Sequence, residues 1–423
     1  MTREHGARAL AGVLVTKGRC EMETPEVDRY MKLVGPGEPA GELLRRYWMP
    51  IGVAAELTDE NPTRFVRLLG EDLVLFKDLS GRVGLLADHC SHRGASLLYG
   101  RVEERGISCA YHGWLYDCDG NILETPPERN DAIMRSVKQT AYPVQELVGL
   151  HWAYLGPQPA PVIPHYDAWV RRDGHRKIFV QPVLDCNWLA AMENSMDPAH
   201  TSILHQRQGI ENTTRGNIDR IAQFDFSMIP HGLMKKRVWK NGVVDEHPVL
   251  FPNVLRHAGE TQIRVPIDDT HTQIYIVDFY PTPDGAEVDD EPEVEHIASF
   301  KEPADALHPF TRFDMHPEWL EAHKAQPQDH MAWETQGPMA DRQNEHLSYS
   351  DQGIALYRKV LKENIEKVLA GEDPMAVERD PDHPIIDTNL DESIRVFQRD
   401  PGHGPEVVAI AGAGPFQWKE AGR

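Results

Sequence analysis

The chain has 423 residues, enough for two or three domains at roughly 150 residues each, and its 44 basic and 66 acidic side chains leave a formal charge of −22. So acidic a chain repels phosphate backbones, which argues against nucleic acid as the main partner. Mean hydropathy is −0.49, and no run approaches the roughly 18 apolar residues that would span a bilayer, which excludes a membrane protein of that kind. Hydrophobic content of 40% and charged content of 26% are those of a soluble globular protein and exclude wholesale disorder.

Residues 1–26 read as an N-terminal extension in which the apolar run Ala9–Val15 is short for a signal peptide, and Met22 offers an alternative start. From Gly41 to Gly156 short strand candidates alternate with turn residues. Arg64–Leu69 ends at Gly70, Leu73–Phe76 follows, and Asp78–Arg82 reads as a turn before Val83–Ala87. This spacing predicts a compact all-β domain over 41–156. The Pro-rich stretch Gly156–Pro164 predicts an extended connector. Beyond it, Phe179–Leu184, Ile263–Pro266 and Thr272–Phe279 read as strands, and Pro283–Glu295 as an acidic solvated loop. Ser350 is placed to cap a helix whose apolar positions Ile354, Tyr357, Leu361, Ile365 and Val368 step by three and four until Gly371 stops it. The last fifty or so residues are rich in Asp, Pro and Gly and are expected to wrap the surface.

Five cysteines, an odd number at uneven spacing, make no disulfide framework and suggest a reducing compartment, the cytoplasm. Cys118 and Cys186 read as small buried hydrophobes, and Cys20 lies in the extension. Cys90-Ser-His92 is followed, sixteen residues on, by Cys109-Ala-Tyr-His112. Each pair sets one thiolate and one imidazole on a tight loop. Two such loops can hold a [2Fe–2S] cluster with both cysteines on one iron and both histidines on the other. Tetrahedral zinc is the competing reading, although zinc fingers usually group cysteines with cysteines. With Gly94 after one pair and Gly113-Trp114 after the other, the pattern closely resembles a Rieske cluster motif.

A second dense stretch runs from Glu193-Asn194 through Asp197 and His200 to His205. His200 and His205 are five residues apart, about 500° of rotation, so they converge only where a helix is bulged or broken. Two histidines and a carboxylate on one face of an iron leave open positions for oxygen and substrate. Downstream of a Rieske motif, E-N-x-x-D-x-x-H-x₄-H resembles the oxygenase component (α subunit) of the Rieske non-haem iron ring-hydroxylating oxygenases. The resemblance implies that His200 and His205 bind iron and that Asp197 is an electron-transfer bridge. It also implies a distant carboxylate ligand. Asp329, Glu334, Asp341 and Asp351 are available, and Gln328-Asp329 with Glu334 is similar to the family's pattern, which selects Asp329.

Gln336–Arg342, Glu345-His346-Leu347, Ser350-Asp351 and Arg264–Thr272 resemble the phthalate dioxygenase branch. Gly371–Met375 and Arg379-Asp380-Pro381 are similar to dehydrodivanillate O-demethylase relatives. The resemblance implies an α+β fold: an all-β Rieske [2Fe–2S] domain over 41–156 and a helix-grip (START-like) catalytic domain with an antiparallel sheet over 165–390, then a tail over 391–423. It implies a mononuclear Fe(II), a homotrimer, and electrons from a separate flavin and iron–sulfur reductase that uses NADH. The substrate is expected to be a small aromatic compound, hydroxylated or O-demethylated with O₂, with a tilt toward O-demethylation. Arg207 and Arg264 are available to pair with a substrate carboxylate, although each reads more simply as a surface arginine. A Rieske electron carrier without catalysis is the alternative; such carriers run to roughly 100 residues and lack the second ligand set.

Overall fold

The computed structural model describes residues 25–205, 218–301 and 326–399. The expectations for residues 1–24, Cys20 and Arg207 lie outside the described residues, as do those for 400–423.

The hairpin Thr63–Leu68 and Glu71–Lys77 turns through Leu69 and Gly70, both at positive φ (50° and 75°), the geometry a two-residue hairpin favours. Val83–Ala87 and the short Ala141–Tyr142 complete a four-stranded sheet. Glu71–Lys77 is apolar on both faces because it feeds two cores. Leu73 and Leu75 join the main core, whereas Val74 and Phe76 join a separate cluster with Cys90, Cys109, Trp114 and Tyr116. A second four-stranded sheet, Arg101–Glu103, Gly106–Ser108, Leu115–Tyr116 and Ile122–Glu124, is inserted between Val83–Ala87 and Ala141–Tyr142. Met49–Val53, Val144–Leu147 and Leu150–Ala153 form a three-stranded sheet that joins the two halves of the molecule.

The second half is built on an eight-stranded sheet. Ile221–Ile229, Gly232–Trp239, Val244–Leu250, Val254–His257, Glu260–Pro266 and Thr272–Pro281 form an antiparallel meander. Gly174–Val180 adds antiparallel to Thr272–Pro281, and Glu293–His296 closes the edge in parallel. The expected strand over Phe179–Leu184 is therefore displaced. Pro182 has no N–H for the ladder, so pairing stops at Val180, and Leu184 makes an isolated bridge to Thr272. The acidic loop also ends earlier than expected, because Lys177 pairs with Glu293 (3.3 Å) and Glu295 (2.7 Å) and draws that segment into the sheet.

Side chains alternate across this sheet. Ile263, Val265, Tyr275 and Val277 face the three-stranded sheet and its main core. Ile274 and Ile276 face the other way, onto Ala191 of helix Trp188–Ser195 and Trp333 of helix Gln326–Glu334. The long helix Gln352–Leu369 buries Tyr357, Leu361, Ile365 and Val368 as its periodicity requires and stops at Gly371 (φ 83°). Its entry is set by Ser348 rather than Ser350: Ser348 and Asp351 form a capping box around the turn Tyr349–Asp351. The chain then wraps back. Glu378 bridges Val162, Ile386 bridges Tyr166, and an unforeseen helix, Leu390–Arg399, packs on Val244–Leu250.

Candidate metal centres

The two Cys-His loops are built alike. The Cys90 N–H donates to the Ala95 carbonyl (2.9 Å) and the Cys109 N–H to the Trp114 carbonyl (2.9 Å). Each cysteine carbonyl accepts from the glycine four residues on, Gly94 and Gly113, at 2.8 Å. Both glycines sit at positive φ, 73° and 72°, which lets the chain fold back this tightly. The loops carry both thiols inward, each 3% exposed. His92 and His112 lie half-buried at the tip, with ring centroids 4.5 Å apart. His92 also stacks on Trp114, 4.5 Å away and 8° from parallel.

Burial pushes the Cys109 thiol up and the Cys90 sulfur beside it adds to the rise; the backbone N–H groups of Tyr111 and His112 oppose it. Those N–H groups suit an anionic sulfur. The Tyr116 hydroxyl lies 3.0 Å from Cys90 Sγ and 3.0 Å from Ser91 Oγ. Gln139 fastens the first loop: its amide donates to the carbonyls of Ala87 (2.7 Å) and His89 (2.9 Å) and accepts from the Ser91 N–H (2.9 Å). The sequence reading missed Tyr116 and Gln139, and Gln139 carries no local signal because it reaches back from a different turn. Cys118 and Cys186 are buried as small hydrophobes, Cys118 in the cluster that holds Cys90 and Cys109, and the described cysteines are all free thiols.

The second centre is assembled from distant segments. Asn187 caps Trp188–Ser195, accepting from the Leu189 N–H (3.1 Å). The helix breaks at Met196-Asp197, and a short helix, Ala199–Ile203, follows. His205 lies just past its end, so the five-residue spacing no longer separates the two rings, whose centroids are 5.3 Å apart at 81°. Asp329 enters from Gln326–Glu334. Among the described residues, His200, His205 and Asp329 are the one set whose ligand atoms all lie within 4.8 Å of one another. His205 Nε2 is 3.4 Å and His200 Nε2 3.7 Å from Asp329 Oδ1. Ligands at about 2.1 Å from one ion stand roughly 3.0–3.4 Å apart, so this set fits a single metal with little adjustment.

His205 Nδ1 is 2.7 Å from Gln328 Oε1, which fixes its tautomer and leaves Nε2 toward Asp329. Burial alone would raise the Asp329 carboxyl, but His205 and His200 beside it hold it down to about 2. The other carboxylates are engaged elsewhere. Glu334 pairs with Lys301 (2.7 Å), Asp341 caps Arg342–Asn344, and Asp351 belongs to the Ser348 capping box.

Asp197 uses one oxygen as a cap, accepting from Ala199 N–H (2.7 Å) and His200 N–H (3.3 Å). Its other oxygen is 3.5 Å from His200 Nδ1, too long for a good hydrogen bond, so that buried nitrogen lacks a hydrogen-bond partner among the described residues. Burial pushes Asp197 up, and His200 and the Ala199 N–H more than offset it. Glu193, of the same motif, is structural. It accepts from Arg358 (2.7 Å) and Arg342 (2.6 Å), and Arg342 continues to Asp28 (3.0 Å), so three distant segments clamp the helix before His200. Arg264 is no surface residue: it is 1% exposed, bonded through Nη1 to the Gln262 carbonyl (3.0 Å) and through Nη2 to Gln262 Oε1 (3.0 Å).

Residues 47–143 match the Rieske [2Fe-2S] domain family. With relatives matching along both halves, the chain belongs to the Rieske non-haem iron oxygenases, of which it is an oxygenase component, an oxidoreductase rather than a stand-alone electron carrier. It is 38% identical to the 5,5'-dehydrodivanillate O-demethylase oxygenase subunit of Sphingobium sp., over 85% of this chain and 84% of that one. It is 32% identical to the phthalate 4,5-dioxygenase oxygenase subunit of Pseudomonas putida, over 83% and 88%. Among solved structures, NdmA of Pseudomonas putida CBB5 with caffeine superimposes with a TM-score of 0.60 over 82% of this chain and 99% of that chain, a likeness of fold at 20% identity. No helix among the described residues is long and apolar enough to cross a membrane.

Proposed function

We propose that this oxygenase component holds a [2Fe–2S] cluster on Cys90, His92, Cys109 and His112 and a mononuclear iron on His200, His205 and Asp329, and that it O-demethylates methoxylated aromatic acids. The observation that carries the two-centre reading is the convergence of His200, His205 and Asp329 within 4.8 Å. The similarity to an O-demethylase subunit over 85% of the chain supports the choice of reaction. Iron bound by two imidazoles and one carboxylate keeps positions at which O₂ can be activated beside a substrate that need not ligate it.

The chain's own residues supply the setting. Gln328 holds His205 in one tautomer, and Asp329 stays ionised between the two imidazoles. Asp197, fixed by its capping bonds, keeps an oxygen for His200 and would accept a second hydrogen bond from His112 of the partner subunit in a homotrimer. Such a carboxylate orients both rings and couples the centres. His92 and His112 at the tip of the Rieske loops suit that docking. Electrons come from a separate flavin and iron–sulfur reductase that oxidises NADH.

The reaction balances as methoxyarene plus O₂, two electrons and two protons giving phenol, formaldehyde and water. Ring hydroxylation of phthalate-like acids is the second reading, favoured by the likeness to phthalate 4,5-dioxygenase. The test is turnover of a panel of methoxylated aromatic acids with purified protein, a surrogate reductase, NADH and O₂. Formaldehyde released in step with NADH and O₂ consumption supports the proposal. Diols or phenols from phthalate-like acids, with no formaldehyde from any methoxyarene, would move the assignment to the second reading.

A further inference from the structure

On strand Gly232–Trp239, residues Leu233, Lys235, Arg237 and Trp239 alternate onto the buried face. This is the face that meets the helices of the mononuclear centre. Arg237 donates to Thr201 Oγ1 (2.6 Å), the residue after His200. Phe226, opposite Lys235 in the ladder, packs at Gly353 beside the Met196 carbonyl, just before Asp197. Lys235 therefore lies on the wall facing the Met196–His200 segment.

The two cations of this strand differ in one respect. Arg237 has a buried counter-ion, Asp245, at 2.7 Å. Lys235 is 5% exposed, and among the described residues no carboxylate pairs with it and no acceptor bonds its ammonium. Arg264, on the same face two strands beyond Val244–Leu250, likewise has no carboxylate partner among the described residues. A buried cation without a counter-ion is costly. A site with such cations beside a metal bearing one carboxylate is short of negative charge, and an anionic ligand would supply it.

We infer that Lys235 is the specificity-determining residue of the substrate site, its ammonium meeting the carboxylate of an aromatic acid and so fixing which substituent faces His200, His205 and Asp329. The inference rests on the aromatic-acid reading above. Arg237 faces Lys235 from its own strand, Asp245 and His247 from the next, and His257 and Arg264 from those beyond; Asp197 faces it from the helix break. Burial, aided by Arg237, pulls the Lys235 ammonium down to about 7, with Asp197 and Asp245 opposing. A carboxylate bound there would raise it again, so acid binding slightly above neutral pH takes up a proton, and affinity for acids falls as pH rises past about 7.

The experiment is calorimetric titration of the holoenzyme with benzoate, phthalate, 3-methoxybenzoate and the neutral 3-methoxybenzamide, in buffers of different ionisation enthalpy. The wild-type protein should favour 3-methoxybenzoate over the amide by tenfold or more at pH 7 and take up part of a proton with the acid at pH 7.5. Lys235→Met should remove both the preference and the proton uptake while keeping amide affinity, and Lys235→Arg should keep the preference. Cluster absorption and thermal unfolding check that the variants fold, and the wild-type proton uptake needs no variant. Acid preference that survives Lys235→Met, or no proton uptake by the wild type, overturns the inference and leaves the aromatic-acid reading standing. If no acid in the panel is preferred by the wild type, both fall together.

Discussion

The two proposed metal centres are built on opposite plans. The Rieske loops are self-contained: each closes on its own cysteine through two backbone hydrogen bonds and a glycine at positive φ, and all four proposed ligands lie within residues 90–112. The proposed mononuclear centre has no local closure. Its candidate ligands come from a broken helix and from Gln326–Glu334, segments held together by a buried ionic cluster on Glu193 and the packing of Trp333. A locally closed site should fail when a ligand goes; a remotely assembled one should also fail when its supports go.

The largest effect falls on the local site. Cys109→Ser should abolish the Rieske-type EPR signal and the red-brown colour and stop turnover, because the cluster would lose one of its two thiolate ligands. A coloured variant that still turns over would break the comparison. Asp329→Ala should also stop turnover but remove only about one iron per chain, with the cluster spectrum unchanged. If metal analysis finds that iron retained, Glu334 and Asp341 become the ligands to test. Asp197→Asn should keep both metals yet lower turnover by about 100-fold, since the amide removes the charge that would couple the two proposed centres through His200 but leaves an oxygen to cap the helix. Near-normal turnover would leave Asp197 only its capping role.

Supports give smaller effects. Arg358→Met leaves Glu193 and Glu345 short of a buried partner and should cost about 3 kcal/mol in urea unfolding, lowering mononuclear iron occupancy before cluster occupancy. Equal loss from both centres would mean that the two are not independently held. His247 gives the smallest. Burial lowers it to about 4, below its ordinary 6.5, so the unfolded chain binds more protons between those values. Its contribution to stability is present above pH 6.5 and is lost as pH falls toward 4. His247→Gln should make thermal stability less steep over that window, and an unchanged slope would assign the acid sensitivity to other groups.

This contrast also explains what could be read from the sequence. The Cys-His loops carry their geometry in contiguous residues, and their pattern was legible down to the glycines. The interruption of the helix between His200 and His205 was legible from their five-residue spacing, as the end of the short helix at Ile203 shows, but the break at Met196-Asp197 was not, and Asp329 was reached only through a family resemblance. Gln139 and Lys235 were not found, and Gln328 was noted only beside Asp329 and not as the partner of His205, because such long-range contacts have no spacing of their own. Strands Gly232–Trp239 and Val244–Leu250 were missed for a related reason. Their buried positions include Lys235, Arg237, Asp245 and His247, so the alternation that marks a strand is written in residues that look exposed.

The most direct measurement is metal and sulfide content per chain, taken with EPR of the reduced and oxidised protein. Three irons and two acid-labile sulfides are expected, with one iron outside the Rieske signal and lost in Asp329→Ala. Two irons, all within the Rieske signal and unchanged in that variant, would contradict a mononuclear centre on His200, His205 and Asp329.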